Sequence, residues 1–233
     1  MNIIPAIDLI DGKNVRLSQG DYEKKSHMKR TPQQALEFYA GFESVTRIHV
    51  VDLMGALKQE ALESKLVSEL AKQSPLPLEI GGGLRSLKTI EQYYKMGIEY
   101  FILGTRAIID VSWLREVAEV FPGKIFVGVD AKESEIYING WTENSGVVID
   151  DYLRIIEDIN LAGIIYTDIN KDGMGLGPNF ENTARLNNMT RHKVIASGGI
   201  RNKADLDELK RLGITEAIVG KASHTEEFWE GIK

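Results

Sequence analysis

The chain has 233 residues, 43% of them hydrophobic and 27% charged, with 22 Gly and 6 Pro in no short repeat. That balance buries a core without help from disulfides and excludes collagen-like and disordered classes; with no Cys, thiol nucleophiles, zinc ribbons and iron–sulfur clusters are excluded too. A net charge of -6 without a basic block or a basic–aromatic stripe argues against nucleic acid as a partner.

The N-terminal segment MNIIPAIDLIDGKNVRL starts apolar, but Asp8 and Asp11 interrupt it too early for a signal-peptide core. No run approaches the roughly 20 apolar residues of a membrane span, so a soluble, cytoplasmic chain with no membrane partner is expected. The first strand is expected over Ile3–Ile7 and delivers Asp8 at its end. An amphipathic helix over Thr31–Ala40 follows, then a strand over Arg47–Val51 ending at Asp52 and a helix over Ala61–Ala71. The third strand, Leu76–Ile80, runs into Gly81, Gly82 and Gly83, and a helix over Leu87–Lys95 leads to the fourth, Tyr100–Leu103, which ends at Gly104 and Thr105. Ile125–Val129 ends at Asp130, and Gly163–Tyr166 ends at Thr167 and Asp168 with Asp172 beyond. Val194–Ala196 leads into Ser197, Gly198 and Gly199, a helix covers Lys203–Arg211, and Ala217–Val219 ends at Gly220 with Lys221 beside it.

Eight strand–helix units of about 29 residues each predict a lean α/β (β/α)8 barrel forming a single domain over residues 1–233. The stretch from Gly82 also aligns without gaps on the stretch from Gly198. Gly82, Gly83, Arg85, Gly97 and Gly104 fall on Gly198, Gly199, Arg201, Gly213 and Gly220, and Asp52 falls on Asp168, each pair 116 positions apart. Six matches at one offset predict two similar half-barrels, with the repeat boundary near residue 120.

In such a barrel the strand C-termini and the loops after them face the site. Glycines at a strand end that opens a helix let backbone N–H groups approach an anion. Gly198 and Gly199 with Gly220 form one expected phosphate cup, and Gly82 and Gly83 with Gly104 form its repeat, so a long bis-phosphate substrate is implied. Asp8 and Asp130, on opposite strands, suit acid and base work, whereas the repeat-related Asp52 and Asp168 suit a shared structural or substrate-orienting job. Trp141, after the fifth strand, is placed to stack on a heterocycle, and Arg16 is a candidate phosphate partner. His27, His49, His192 and His224 have no ligand spacing, His49 and His192 suit core roles, and no metal is expected.

The segments PAIDLIDGKNVRLSQGDY, VVDLMGA, EIGGGLRS, GTRAI, GVDAKE with NGW, IYTDINKDGMGLGPNF, IASGGIRN and IVGKA together resemble the phosphoribosylformimino-aminoimidazole carboxamide ribotide isomerase family of histidine biosynthesis. The likeness runs from Ile4 to about Lys221. It implies an Amadori rearrangement of an aminoaldose to an aminoketose, on a substrate with a phosphate at each end and without a cofactor. By that resemblance Asp8 is the general base, Asp130 the acid assisting ring opening, Thr167 a hydrogen-bond partner near it, and Asp172 a competing acid. Gly81, Thr105, Ser197 and Lys221 are implied substrate contacts, and a monomer is expected. Met54 stands where the family has an acidic residue in VVDLDGA, and Met174 replaces the Thr of DGT. The rival readings are a bifunctional isomerase that also takes phosphoribosylanthranilate, the cyclase half of imidazole glycerol phosphate synthase, and a non-catalytic sensor of phosphoribosyl metabolites.

Overall fold

The computed structural model describes residues 1–18 and 20–232; Gln19, within the first segment of the resemblance, and Lys233, the last residue of the expected domain, lie outside the described residues. Strand β1 (Asn2–Ile10) turns into an antiparallel excursion of β2 (Lys13–Ser18) and β3 (Asp21–His27) before helix α1 (Pro32–Ala40). Strand β4 (Ile48–Asp52) leads to α2 (Leu53–Lys58) and α3 (Ser64–Gln73), β5 (Leu78–Gly81) to α4 (Leu87–Lys95), and β6 (Tyr100–Leu103) to α5 (Thr105–Ile109) and α6 (Val111–Val120). Strand β7 (Ile125–Lys132) has its own antiparallel excursion, β8 (Glu135–Ile138) and β9 (Glu143–Val148), before α7 (Ile149–Ile156). The chain closes with β10 (Gly163–Asp168), α8 (Phe180–Met189), β11 (Val194–Ser197), α9 (Lys203–Arg211), β12 (Glu216–Val219), a 3-10 turn (Lys221–His224) and α10 (Glu226–Ile232).

Eight parallel strands form a closed ring in the order β1-β4-β5-β6-β7-β10-β11-β12, with β12 returning to β1. The chain is therefore the expected (β/α)8 barrel, and each of the eight strands read from the sequence is present. Its strands were legible because helices cover them outside and side chains fill them inside, so they read as short, predominantly apolar runs. Thr31 starts α1 through a capping box, its side chain accepting from the Gln34 N–H while the Gln34 side chain accepts from the Thr31 N–H.

Three layers fill the interior. At the floor, buried Arg47, just before β4, pairs with Glu79 of β5 and with Glu216 of β12 (2.7 Å), and the exposed Lys193, just before β11, closes on Glu216 from outside (2.7 Å). Above them Ile4, Ala6, Ile102, Phe126, Ile165, Ile195 and Ile218 form an apolar plug. The mouth above the plug is polar, and β1 and β7 stand opposite each other across it, four steps apart in the ring.

Candidate active site

One cavity at the mouth gathers Asp8, Asp130, Thr167 and Asp172 with Arg16, Trp141, Ser197, Thr105 and the glycines 81–83, 104, 198 and 220. An adjoining recess is lined by Gly198, Gly199, Gly220 and Lys221 and shares Arg16 and Asp172 with the first. Each of the expected site residues lines one of these two adjoining hollows, whereas the strand-end residues Asp52 and Asp168 line neither.

Asp8 lies on β1 and is 6% exposed. Arg16, on β2, donates from Nη1 to Asp8 Oδ2 (2.7 Å) and from Nη2 to both Asp172 oxygens (2.7 and 2.8 Å). Burial alone would lower the Arg16 pKa, but Asp172 and Asp8 outweigh it and hold the guanidinium more firmly charged than usual. Its head also lies against Gly220, at the edge of the second cup. Arg16 therefore links the two carboxylates to the Gly220 turn.

Asp130, on β7, pairs in register with Thr167 on β10. It keeps some access through the cavity mouth, yet the protein around it desolvates the carboxyl and raises its pKa above the ordinary aspartate range. The neighbouring Trp141 and Thr167 side chains and His49 pull the other way, whereas Asp172 pushes in the same direction as burial. Asp172 is likewise raised by burial, beyond what Arg16 offsets. Asp8 takes part in an ion pair, while Asp130 has no cation in salt-bridge contact among the described residues.

Asp52 and Asp168 have the structural job expected of them. Asp52 caps α2 by accepting from the Gly55 N–H (2.7 Å) and holds the next loop through Leu62 N–H (2.6 Å) and Glu63 N–H (2.9 Å). Asp168 accepts from Asn170 N–H (2.9 Å) and from Nδ2 of Asn179 (2.7 Å), the N-cap of α8. The glycine pairs follow the same offset. Gly82 and Gly83 have φ of +99° and +72°, and Gly198 and Gly199 +86° and +82°. A side chain at Gly82 would overlap the Asp52 carbonyl and one at Gly83 the Glu60 carbonyl; at Gly199 it would overlap the Gly177 carbonyl. These glycines are thus required by the neighbouring loop as well as being suited to an anion.

Trp141 adopts φ +70° and packs its ring on Gly20 of the β2–β3 turn. Tyr22, on β3, donates to the Leu53 carbonyl (3.0 Å) and lies against Gly140. The two excursions therefore meet over the mouth. Met54, in place of an acidic residue, packs with Ile10, Val15 and Leu17 under the first excursion, which gives its apolar side chain a local reason; Met174 is exposed, and nothing in the structure explains it.

The reading of His49 needs amendment. Its Nδ1 is 2.6 Å from Oε1 of the buried Glu79, and it lines the cavity rather than serving only the core. Burial would raise Glu79, but His49 and Arg47 together hold it below the usual range. Its place on the inward face of β4, the same face as Arg47 and Val51, was the available signal. His192 keeps the core role, buried with Nε2 3.1 Å from the Ile156 carbonyl. Among the described residues no group of three or more His, Asp or Glu is arranged to hold a metal, and no helix is long and apolar enough to cross a membrane.

A family model described as histidine biosynthesis protein matches residues 2–229, nearly the whole chain.

Proposed function

The chain belongs to the histidine biosynthesis protein family, and from that premise we propose that it is an aldose–ketose isomerase performing the Amadori rearrangement of the phosphoribosylformimino-aminoimidazole carboxamide ribotide. One observation carries the reading. Two carboxylates face each other from opposite strands, Asp8 within an ion pair and Asp130 desolvated, between two glycine cups. Paired carboxyl groups whose environments differ in this way divide into base and acid.

In the proposed sequence, the Asp130 carboxylic acid protonates the ribose ring oxygen as the C1–O bond breaks. The nitrogen lone pair on C1 then forms a C=N bond. Asp8 removes the proton from C2, now acidified by that iminium group, and the C–H electron pair becomes a C1=C2 bond while the C=N pair returns to nitrogen. Loss of the C2 hydroxyl proton and protonation of C1 complete the aminoketose. Atoms and electrons balance within the substrate, and proton transfers suffice. Thr167 orients Asp130, Trp141 covers the heterocycle, and Gly82, Gly83 and Gly104 on one side and Gly198, Gly199 and Gly220 on the other hold the terminal phosphates. Arg16 keeps Asp8 and Asp172 apart from the second phosphate while lending that cup its charge. Asp172, held through both carboxylate oxygens by Nη2 of Arg16, is the less available donor.

Asp8→Asn is expected to lose turnover by roughly a factor of 10³, the scale of a general base, while still binding substrate. Asp130→Asn is expected to lose a similar factor. Steady-state rates beside equilibrium binding read both, and near-normal turnover of Asp8→Asn contradicts the assignment.

A further inference from the structure

Two buried tyrosines, Tyr39 and Tyr152, hold the backbone turns that form the two cups. Tyr39 is 0% and Tyr152 1% exposed. Tyr152, on α7, donates its hydroxyl to the Ala107 carbonyl (2.8 Å) in α5, the turn that Gly104 opens. The helix breaks at Asp110, so the carbonyls of this short helix need partners from outside it, and Tyr152 supplies one. Tyr39, on α1, lies 3.2 Å from Ser223 Oγ and 3.0 Å from His224 Nδ1 in the 3-10 turn that Gly220 opens. Ser223 Oγ in turn donates to the Gly220 carbonyl (2.8 Å). Burial lowers the His224 imidazole to about 4, so the ring is neutral; with its proton on Nδ1 it donates to Tyr39, and the single Tyr39 hydroxyl proton goes to Ser223 Oγ, which completes the chain to Gly220.

The two arrangements correspond. Ala107 and Ser223 lie 116 positions apart, the offset that relates Gly104 to Gly220. Both tyrosines sit on the helix that follows a strand bearing a site carboxylate and its antiparallel excursion, and each reaches the turn after the adjacent strand, β6 beside β7 and β12 beside β1. Gly104 and Gly220 also share an unusual backbone conformation, ψ -110° and -102°. Neither hydroxyl is among the lining groups of the two hollows.

We propose that Tyr152 and Tyr39 are positioning residues, each setting the backbone of one phosphate cup from the helix behind it. This rests on the phosphate reading of the cups given above. Main-chain N–H groups cannot change rotamer to adjust their fit, so the geometry they present depends on what holds the turn from behind. The second cup carries an extra link, Ser223, where the first has the Ala107 carbonyl alone.

The test is a titration of the full chain with inorganic phosphate, followed by the backbone amide resonances of Gly104–Thr105 and Gly220–Lys221. The wild-type chain is expected to show saturable shifts at both turns. Tyr152→Phe should weaken the response at Gly104–Thr105 about tenfold and leave Gly220–Lys221 unchanged, and Tyr39→Phe should do the reverse. Ser223→Ala, a smaller change, should act as Tyr39→Phe does and serves if that variant does not fold. In turnover, each variant should raise KM by roughly tenfold with kcat within about twofold. Wild-type shifts with unaltered responses in the variants overturn the positioning role while leaving the phosphate reading intact. Equal weakening at both turns in every variant also overturns it, because a general loosening of the barrel would produce that. No wild-type response at either turn removes the phosphate reading and this proposal together.

Discussion

Burial raises the Asp130 carboxyl above the value it has in the unfolded chain. Between those two values the folded protein keeps a proton that the unfolded chain releases, so stability falls as pH rises through that interval. Asp130→Asn has nothing to ionise. Its thermal midpoint is expected to match wild type below about pH 4, the ordinary aspartate range, and to exceed it progressively toward neutral pH. Thermal unfolding from pH 4 to 8 reads this directly, and a variant less stable than wild type at neutral pH contradicts the account of Asp130 as a desolvated acid. The group thus weakens the fold to the degree that it is suited to give up a proton. Asp8 makes a different case, because its ion pair with Arg16 is part of the same chain of contacts that reaches Asp172 and Gly220.

The loops after the strands depend on a few side chains that hold main-chain groups. Asp52 satisfies three amides at once, those of Gly55, Leu62 and Glu63, from a position with 0% exposure. Asp52→Ala strands these donors and is expected to cost about 3 kcal/mol in chemical denaturation, since hydrogen bonds to a charged group contribute more than neutral ones. A loss under about 0.5 kcal/mol, the range of ordinary surface changes, would refute the capping role. The same elements show where reading the sequence stopped. The 116-residue spacing alone sets Asp52 and Asp168 apart from Asp8 and Asp130, and their contacts agree. The excursions β2–β3 and β8–β9 went unread because their outer strands, such as DYEKKSH, are largely exposed and their inner strands β2 and β8 bury only two apolar side chains each, Val15 and Leu17 or Ile136 and Ile138. With them went the packing of Trp141 on Gly20 and of Tyr22 on Gly140, contacts between segments distant in sequence.

The ring places its functions by height and by quadrant. Charged pairs close the floor, an isoleucine-rich layer separates them from the mouth, and His49 bridges the levels, joined to Glu79 below and open to the cavity above. The strand count, and with it the barrel, was readable because each parallel strand is rich in buried apolar residues broken by at most two polar ones; the His49–Glu79 contact was not, because it depends on how β4 and β5 register. Across the mouth, two glycine cups flank two carboxylates, and the matching of Gly82 with Gly198, Asp52 with Asp168 and Ala107 with Ser223 supports the proposed half-barrel repeat. Such a site should convert one long bis-phosphate by moving protons. The most direct measurement is steady-state turnover of the purified, chelator-treated protein on the aminoaldose bis-phosphate ribotide, with the aminoketose consumed by an excess of cyclase, glutaminase and glutamine. The account predicts sustained turnover under those conditions. Absence of turnover, or activity only on the aminoketose with ammonia, would contradict it.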